Sequence, residues 1–227
     1  MITAHPDDVD FGAAGSVAVL TDQGIDVQYC IVTDGDAGGF DHAIPRTAMG
    51  AIRRSEQRAA AKEVGASEVH FLGYPDGRLE VSLELRRDLS RVIRSVRPQR
   101  VICQSPERNF ERIFASHPDH LAAGEAALCA VYPDARNPFT FTELRDEGLE
   151  AWTVSEVWLM AGTKANHAVD ITESFERKMA ALMRHESQIS DPAGVRDRVR
   201  AWVAGTAEQF GLGEGRFAEA FQIVKTG

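Results

Sequence analysis

The 227-residue chain carries 25 Lys and Arg against 34 Asp and Glu, a formal net charge of −9, and 44% of its residues are hydrophobic. That apolar content excludes disorder as the main state, and the length suits a single domain over residues 1–227. The acidic balance argues against nucleic acid or an anionic membrane as partner, since either asks for a basic face. No apolar run approaches the ~20 residues of a membrane span. Polar His5, Asp7, Asp8 and Asp10 occupy the place of a leader's apolar stretch, so no signal peptide is expected. Cys30, Cys103 and Cys129 lie far apart in apolar surroundings and read as buried, reduced thiols of a cytoplasmic protein.

In chain order, short β-branched runs alternate with helical patterns, as in an α/β fold with a mostly parallel sheet flanked by helices. Val27–Thr33 reads as a buried strand closed by Asp34-Gly35. Arg53–Val64 reads as a helix stopped by Gly65, and Val69–Leu72 as a strand ending in the turn Tyr74-Pro75-Asp76-Gly77. Leu83–Val96 places Leu85, Leu89, Val92, Ile93 and Val96 on one helical face before Pro98. Val101–Gln104 is the next strand and Leu121–Val131 an alanine-rich helix. Tyr132–Trp152 breaks the alternation and reads as a surface excursion or as a lid over a site. Ser155–Met160 is then a strand, Ser174–His185 and Val195–Phe210 are helices, and Ala220–Val224 is a final strand.

The chemistry gathers at two strand exits. Ala4-His5-Pro6-Asp7-Asp8 follows the stub Met1-Ile2-Thr3, and Ser116-His117-Pro118-Asp119-His120 precedes the alanine-rich helix. In a doubly wound sheet the ends of strands converge on one edge, so the clusters can face each other across more than a hundred residues. A catalytic zinc ion takes three ligands from His and carboxylate side chains and keeps a fourth position for water. His5 and Asp8 can reach one ion from a single turn, with a third ligand from the distant cluster. Asp7, spare and adjacent, can then act as general base. A lone His-Pro-Asp is readily a turn with a helix cap, but two such clusters at two strand exits point to a metal. Asp10 reads as a cap or as a support for the ligands.

Together, HPDD and HPDH strongly resemble the LmbE-like/PIG-L family of zinc-dependent N-deacetylases. Thr33–Gly38 resembles the family's glycine loop, Arg53-Arg54-Ser55-Glu56 its R-x-x-E helix start, Phe71–Gly77 its next strand and turn, and Lys178–Gln188 (KMAALMRHESQ) its late helix. The resemblance implies a Rossmann-like three-layer α/β fold, a metal held by His5, Asp8 and His120, and Asp7 as base. It further implies that His117 faces the substrate carbonyl with Asp119 behind it, and that Arg53 and Asp76 hold the polar groups of a sugar. The substrate class implied is a small-molecule N-acetyl amino sugar or its conjugate. Zn²⁺ is the expected cofactor, and Fe²⁺ accepts the same ligands. Two features depart from the family pattern: Val9 stands where Glu commonly follows the second Asp, and the first strand is only a stub.

Other chemistries fit less well. Gly35-Asp36-Ala37-Gly38-Gly39 lacks the spacing and the Lys-Ser/Thr pair of a phosphate loop. Ser16, Ser105 and Ser116 lack a G-x-S-x-G elbow. His42, His70 and His167 have no partner pattern, and His185, beside Glu186, reads first as a structural hydrogen-bonder and second as a substrate contact. Two alternative functions remain: an amidase of a non-sugar or thiol-conjugate substrate, and a non-catalytic metal- or carbohydrate-binding protein. Phosphoester cleavage would need more bridging carboxylates than the clusters offer.

Overall fold

The computed structural model describes residues 1–227. Its sheet comprises β1 (Ile2–Thr3), β2 (Gln28–Thr33), β3 (Glu68–Tyr74), β4 (Arg100–Gln104), β5 (Glu156–Met160), β6 (His167–Asp170) and β7 (Ala218–Lys225). Their order is β3-β2-β1-β4-β5-β7-β6. The first five in that order run parallel, while β7 pairs antiparallel with both β5 and β6. The α/β fold with a mostly parallel sheet therefore stands, with the last strand in the chain inserted antiparallel between β5 and the edge strand β6.

Period-two alternation divides the apolar side chains between two faces. Cys30, Val32, Val101 and Cys103 join Leu85, Leu89 and Ile93 of helix α4 (Leu83–Val96) and Ala123, Ala126 and Ala127 of helix α5 (Pro118–Cys129). Tyr29 and Ile31 point the other way, onto helix α2 (Ala14–Asp22) and helix α3 (Arg46–Glu63). Helices α7 (Phe175–Leu182) and α8 (Pro192–Gln209) extend that second layer over β6 and β7. A five-residue helix, α1 (Asp8–Gly12), bridges β1 to α2. Helix α5 lies close on β4 because of Gly124: a Cβ there would stand 2.3 Å from the Gln104 carbonyl oxygen.

Several expected boundaries move. Helix α3 starts at Arg46 rather than Arg53, because Met49 and Gly50 continue the buried stripe of Arg53, Gln57, Ala60 and Ala61 toward the N-terminus. Helix α5 starts at Pro118, with proline in its first turn where no amide donor is required. Strand β6 was not anticipated; its four half-buried residues lack a run of apolar side chains. Cys30 and Cys103 are buried free thiols, whereas Cys129 is half-buried on the outer side of α5. The Tyr132–Trp152 segment contains a short helix, α6 (Thr142–Asp146), and packs at the opposite edge from the two motifs. Trp152 Nε1 donates to Pro98 O just before β4, 2.8 Å away. The buried Arg94 guanidinium gathers the carbonyls of Asp134, Ala135, Asn137 and Thr140 at 2.9–3.1 Å. A surface excursion is what the structure shows; a lid would have to lie at the other edge.

Replacing Arg94 with Met strips one donor group from four carbonyls. Arg94→Met is expected to lower unfolding free energy by about 2–4 kcal/mol in a urea titration. A loss below ~0.5 kcal/mol would mean that water serves those carbonyls equally well.

Candidate metal centre

The neighbouring strands β1 and β4 set the two motifs side by side. Ile2 lies opposite Cys103, and Ala4 N–H donates to Gln104 Oε1 at 3.0 Å. Three residues beyond Ile2 stands His5, and beyond β4 a loop and a 3₁₀ turn (Ile113–Ser116) deliver His117 as the cap of α5. The rings of His5, His117 and His120 lie 5.0–5.2 Å apart, centroid to centroid.

His5 faces two ways. Its Nε2 donates to Asp76 Oδ1 at 3.0 Å and Asp119 Oδ2 at 3.3 Å. Its Nδ1 lies 3.2 Å from His120 Nε2 and 3.4 Å from Asp8 Oδ2. His120 Nε2 is in turn 3.0 Å from Asp8 Oδ1, while its Nδ1 donates to Ala115 O at 3.4 Å. With each outward nitrogen committed as a donor, the inward nitrogens of both rings turn lone pairs toward one carboxylate. Such a convergence of acceptors is repulsive unless a cation or extra protons sit among them. Metal-ligating imidazoles show this arrangement, the far N–H held by a carboxylate or a carbonyl. The donor set of His5, Asp8 and His120 thus fits a divalent ion.

The proton affinities of these groups follow the same geometry. Burial works against a charge on His5, but hydrogen bonds with Asp119, Asp76 and Asp8 outweigh it and push its pKa up to about 12. Burial opposes ionisation of Asp8, yet His120 and His5 hold its pKa well below the usual carboxylate range. Burial, then repulsion from His5 and His120, lowers the pKa of His117.

Asp7 occupies a left-handed conformation, φ 98°, at the start of α1, and its carboxylate caps no amide there. Arg53 Nη2 instead reaches Asp7 Oδ2 at 3.0 Å and also donates to Pro6 O, while Nη1 donates to Gly35 O at 2.9 Å. Gly35 has φ +61°, and a Cβ on it would stand 2.4 Å from Arg53 Nη1, so glycine is required. Burial raises the Asp7 pKa to about 6, the Arg53 charge opposing it.

The structure brings all eight anticipated site residues together but arranges three of them differently from expectation. Asp119 does not stand behind His117 with its carboxylate; that carboxylate meets His5 and accepts the backbone amides of Gly77 at 2.7 Å and Leu79 at 3.2 Å. Only the Asp119 amide touches His117, donating to Nδ1 at 3.2 Å. Asp76 is engaged by His5 and by Ala37 N–H. Arg53, 4% exposed, grips Asp7 and the backbone of Pro6 and Gly35. Both are thus engaged by residues of the two motifs and by the loop after β2. His185 and Asp10 are wholly buried and hydrogen-bonded to each other, the structural option for His185. Sequence reasoning missed Gln57, whose amide meets Asp7 and Asp10; its only signal was its place one turn after Arg53. Asp34 and Asp36 pair with Arg54 and Arg46.

The model of the PIG-L family, described as GlcNAc-PI de-N-acetylase, matches residues 1–131, which include all eight anticipated site residues but not His185. The chain belongs to the PIG-L family. A diacetylchitobiose deacetylase of Thermococcus kodakarensis is 32% identical over 98% of this chain and 81% of its own length. A probable N-acetyl-alpha-D-glucosaminyl L-malate deacetylase 2 of Bacillus cereus is 30% identical over 83% of this chain and 82% of its own. Among solved structures, the N,N'-diacetylchitobiose deacetylase of Pyrococcus horikoshii superposes with a TM-score of 0.89 at 32% identity, covering 97% of this chain and 81% of that one. The PIG-L chain described here shares with it the seven-stranded, mostly parallel α/β architecture.

The raised His5 pKa fixes the sign of a stability effect. The stabilisation from its proton is complete below pH ~6.5 and is lost as pH rises toward about 12. In chelator-treated protein, wild type should therefore lose stability relative to His5→Asn between pH 7 and 9, by at most ~1.4 kcal/mol per unit for one proton. Parallel denaturation curves for the two proteins would show that His5 does not hold that proton.

Proposed function

We propose that this chain is a zinc-dependent N-deacetylase that removes the acetyl group from the amide nitrogen of an N-acetyl amino sugar or its conjugate. The observation that carries the reading is the convergence of the inward nitrogens of His5 and His120 on Asp8, with the carboxylate of Asp7 at the next residue. His5, Asp8 and His120 would hold the ion. A zinc ion there supplies Lewis acidity to the acyl carbonyl and makes a water molecule a better proton donor. The relatives named for acetylated amino-sugar substrates support the substrate class.

Asp7 is the base. Burial holds its carboxylate at about 6, high enough to accept the water proton and low enough to be ionised at pH 7. Arg53 fixes that carboxylate through Oδ2. His117 accepts the Asp119 amide at Nδ1, which leaves its own proton on Nε2. A neutral imidazole with a free Nε2–H donates to the oxygen of the attacked carbonyl as negative charge gathers there. The proton that Asp7 has taken then goes to the departing amine. Asp76 and Asp119 act behind His5, keeping its far nitrogen a donor and its near nitrogen open to the metal.

Acetate release from N,N'-diacetylchitobiose and from N-acetylglucosamine is the direct test, run beside a generic phosphate ester with metal-stripped and zinc-loaded protein. Zinc-dependent acetate release is expected. Cleavage of the phosphate ester alone, or release untouched by chelation, overturns the reading. His5→Ala, Asp8→Ala and His120→Ala should each lose zinc on dialysis, while His42→Ala, at an exposed position, should retain it. Full zinc content in any of the three removes that residue from the ligand set.

Asp7→Asn isolates the proton-accepting role, since Asn has nearly the same volume and tolerates the left-handed conformation. The variant should fold and keep its zinc while kcat falls by roughly 10²–10⁴, with KM changed far less. Turnover within a few-fold of wild type, zinc retained, would assign the proton to another group.

A further inference from the structure

We infer that Gln57, Asp10 and His185 form a buried positioning relay that fixes the backbone of Asp7 from behind the reaction centre. The inference rests on the proposed role of Asp7 as base. Its links are short and continuous. Asp7 N–H donates to Gln57 Oε1 at 2.9 Å, Gln57 Nε2 donates to Asp10 Oδ2 at 2.8 Å, and His185 Nε2 lies 2.8 Å from the same oxygen. All three side chains belong to residues with no exposed surface.

The relay has a direction. A primary amide has nearly the same shape either way round, so its partners decide which end is the donor. Asp10 Oδ2 accepts from Gln57 Nε2 and so pins the NH₂ end of Gln57 toward itself. The oxygen end is left facing Asp7, where an N–H must be met. His185 donates to the shared Asp10 oxygen and keeps it in place; no other hydrogen bond reaches that carboxylate, whose Oδ1 has no partner. Arg53 and Gln57 stand one turn apart on the same face of α3, so one helix holds Asp7 by both its carboxylate and its amide.

Asp7 needs this hold. A non-glycine residue at φ 98° lies outside the broad allowed regions and persists only where its surroundings over-determine it. The other side of α1 is clamped as well: Lys178 Nζ donates to Asp10 O at 2.8 Å and Phe11 O at 2.6 Å and pairs with Glu219 at 2.7 Å. Lys178 and His185, both within the late KMAALMRHESQ segment, thereby acquire a role that does not involve touching substrate.

Gln57→Met keeps the length and removes both polar ends. Zinc-loaded Gln57→Met is expected to lose roughly 10- to 100-fold in kcat on N,N'-diacetylchitobiose, the scale of a small displacement of a reacting group. KM should stay within about two-fold and zinc content should be unchanged, a split that simple loss of fold would not give. The Asp7 amide should exchange with deuterium faster than in wild type. Asp10→Asn, which frees the Gln57 amide to turn round, should move the same quantities in the same direction and serves if Gln57→Met does not fold. Wild-type kcat in a folded variant, or a kcat loss that merely follows zinc loss, overturns the relay. If wild type releases no acetate, the proposed function fails instead; the Asp7 exchange rate then still decides whether the relay holds that amide.

Discussion

The centre depends on a two-residue strand in the middle of the sheet. Strand β1 lies between β2 and β4 and pairs with both in parallel, so the residues that leave it emerge at the same edge as those leaving β4. Parallel strands cannot be joined by a hairpin, and the crossovers separate the two motifs by more than a hundred residues while the sheet keeps them a strand apart. Everything downstream follows from that adjacency: His5 can meet His120 only if Ile2 and Cys103 are in register. The Ala4 amide bound to the Gln104 side chain secures that register where β1 has few ladder bonds of its own.

Charge is then arranged around His5 in layers. Toward the inside are Asp8 and His120; toward the outside are Asp76 and Asp119, themselves fixed by the backbone amides of Ala37, Gly77 and Leu79. The turn after β3 therefore belongs to the centre although it contributes no imidazole. Asp7 differs from its neighbour in one respect that matters chemically. Asp8 is surrounded by imidazoles and kept ionised, whereas Asp7 faces a single guanidinium in a buried setting that raises its pKa. Two adjacent carboxylates thus acquire different proton affinities from their surroundings, as acid–base pairs in enzymes do.

Much of this was legible in the sequence. Helix α4 is read correctly from end to end because its apolar residues repeat at helical spacing between Ser82, which caps it, and Arg97-Pro98. The paired HPDD and HPDH clusters pointed to a metal with His5 and Asp8 among its ligands, because those residue types at strand exits have few other uses; His120 was singled out only by the family resemblance. The early start of α3 was not legible, since the stripe begins with Met49 and Gly50 in a stretch of mixed polarity. Strand β6 was hidden for a similar reason, with no more than half-buried residues to mark it. Finer still, nothing local tells whether the Asp119 carboxylate turns to His117 or to His5. That choice is made by the Gly77 and Leu79 amides, which arrive from 40 residues or more away. Gln57 was invisible on the same grounds, as an amide inside an amphipathic helix whose partners, Asp7 and Asp10, lie some 50 residues earlier in the chain.

The clamp on α1 bears on when the molecule becomes whole during synthesis. Glu219, on the last strand, accepts the Gly15 and Ser16 amides at the start of α2 and pairs with Lys178, which closes the end of α1. All the motif residues leave the ribosome early, within the first 120 positions. The short helix that carries Asp8 stays without its final anchors until β7 emerges. A nascent or truncated chain can thus hold every side chain of the two motifs and still have no fixed place for them, which ties the assembly of the centre to the completion of the fold.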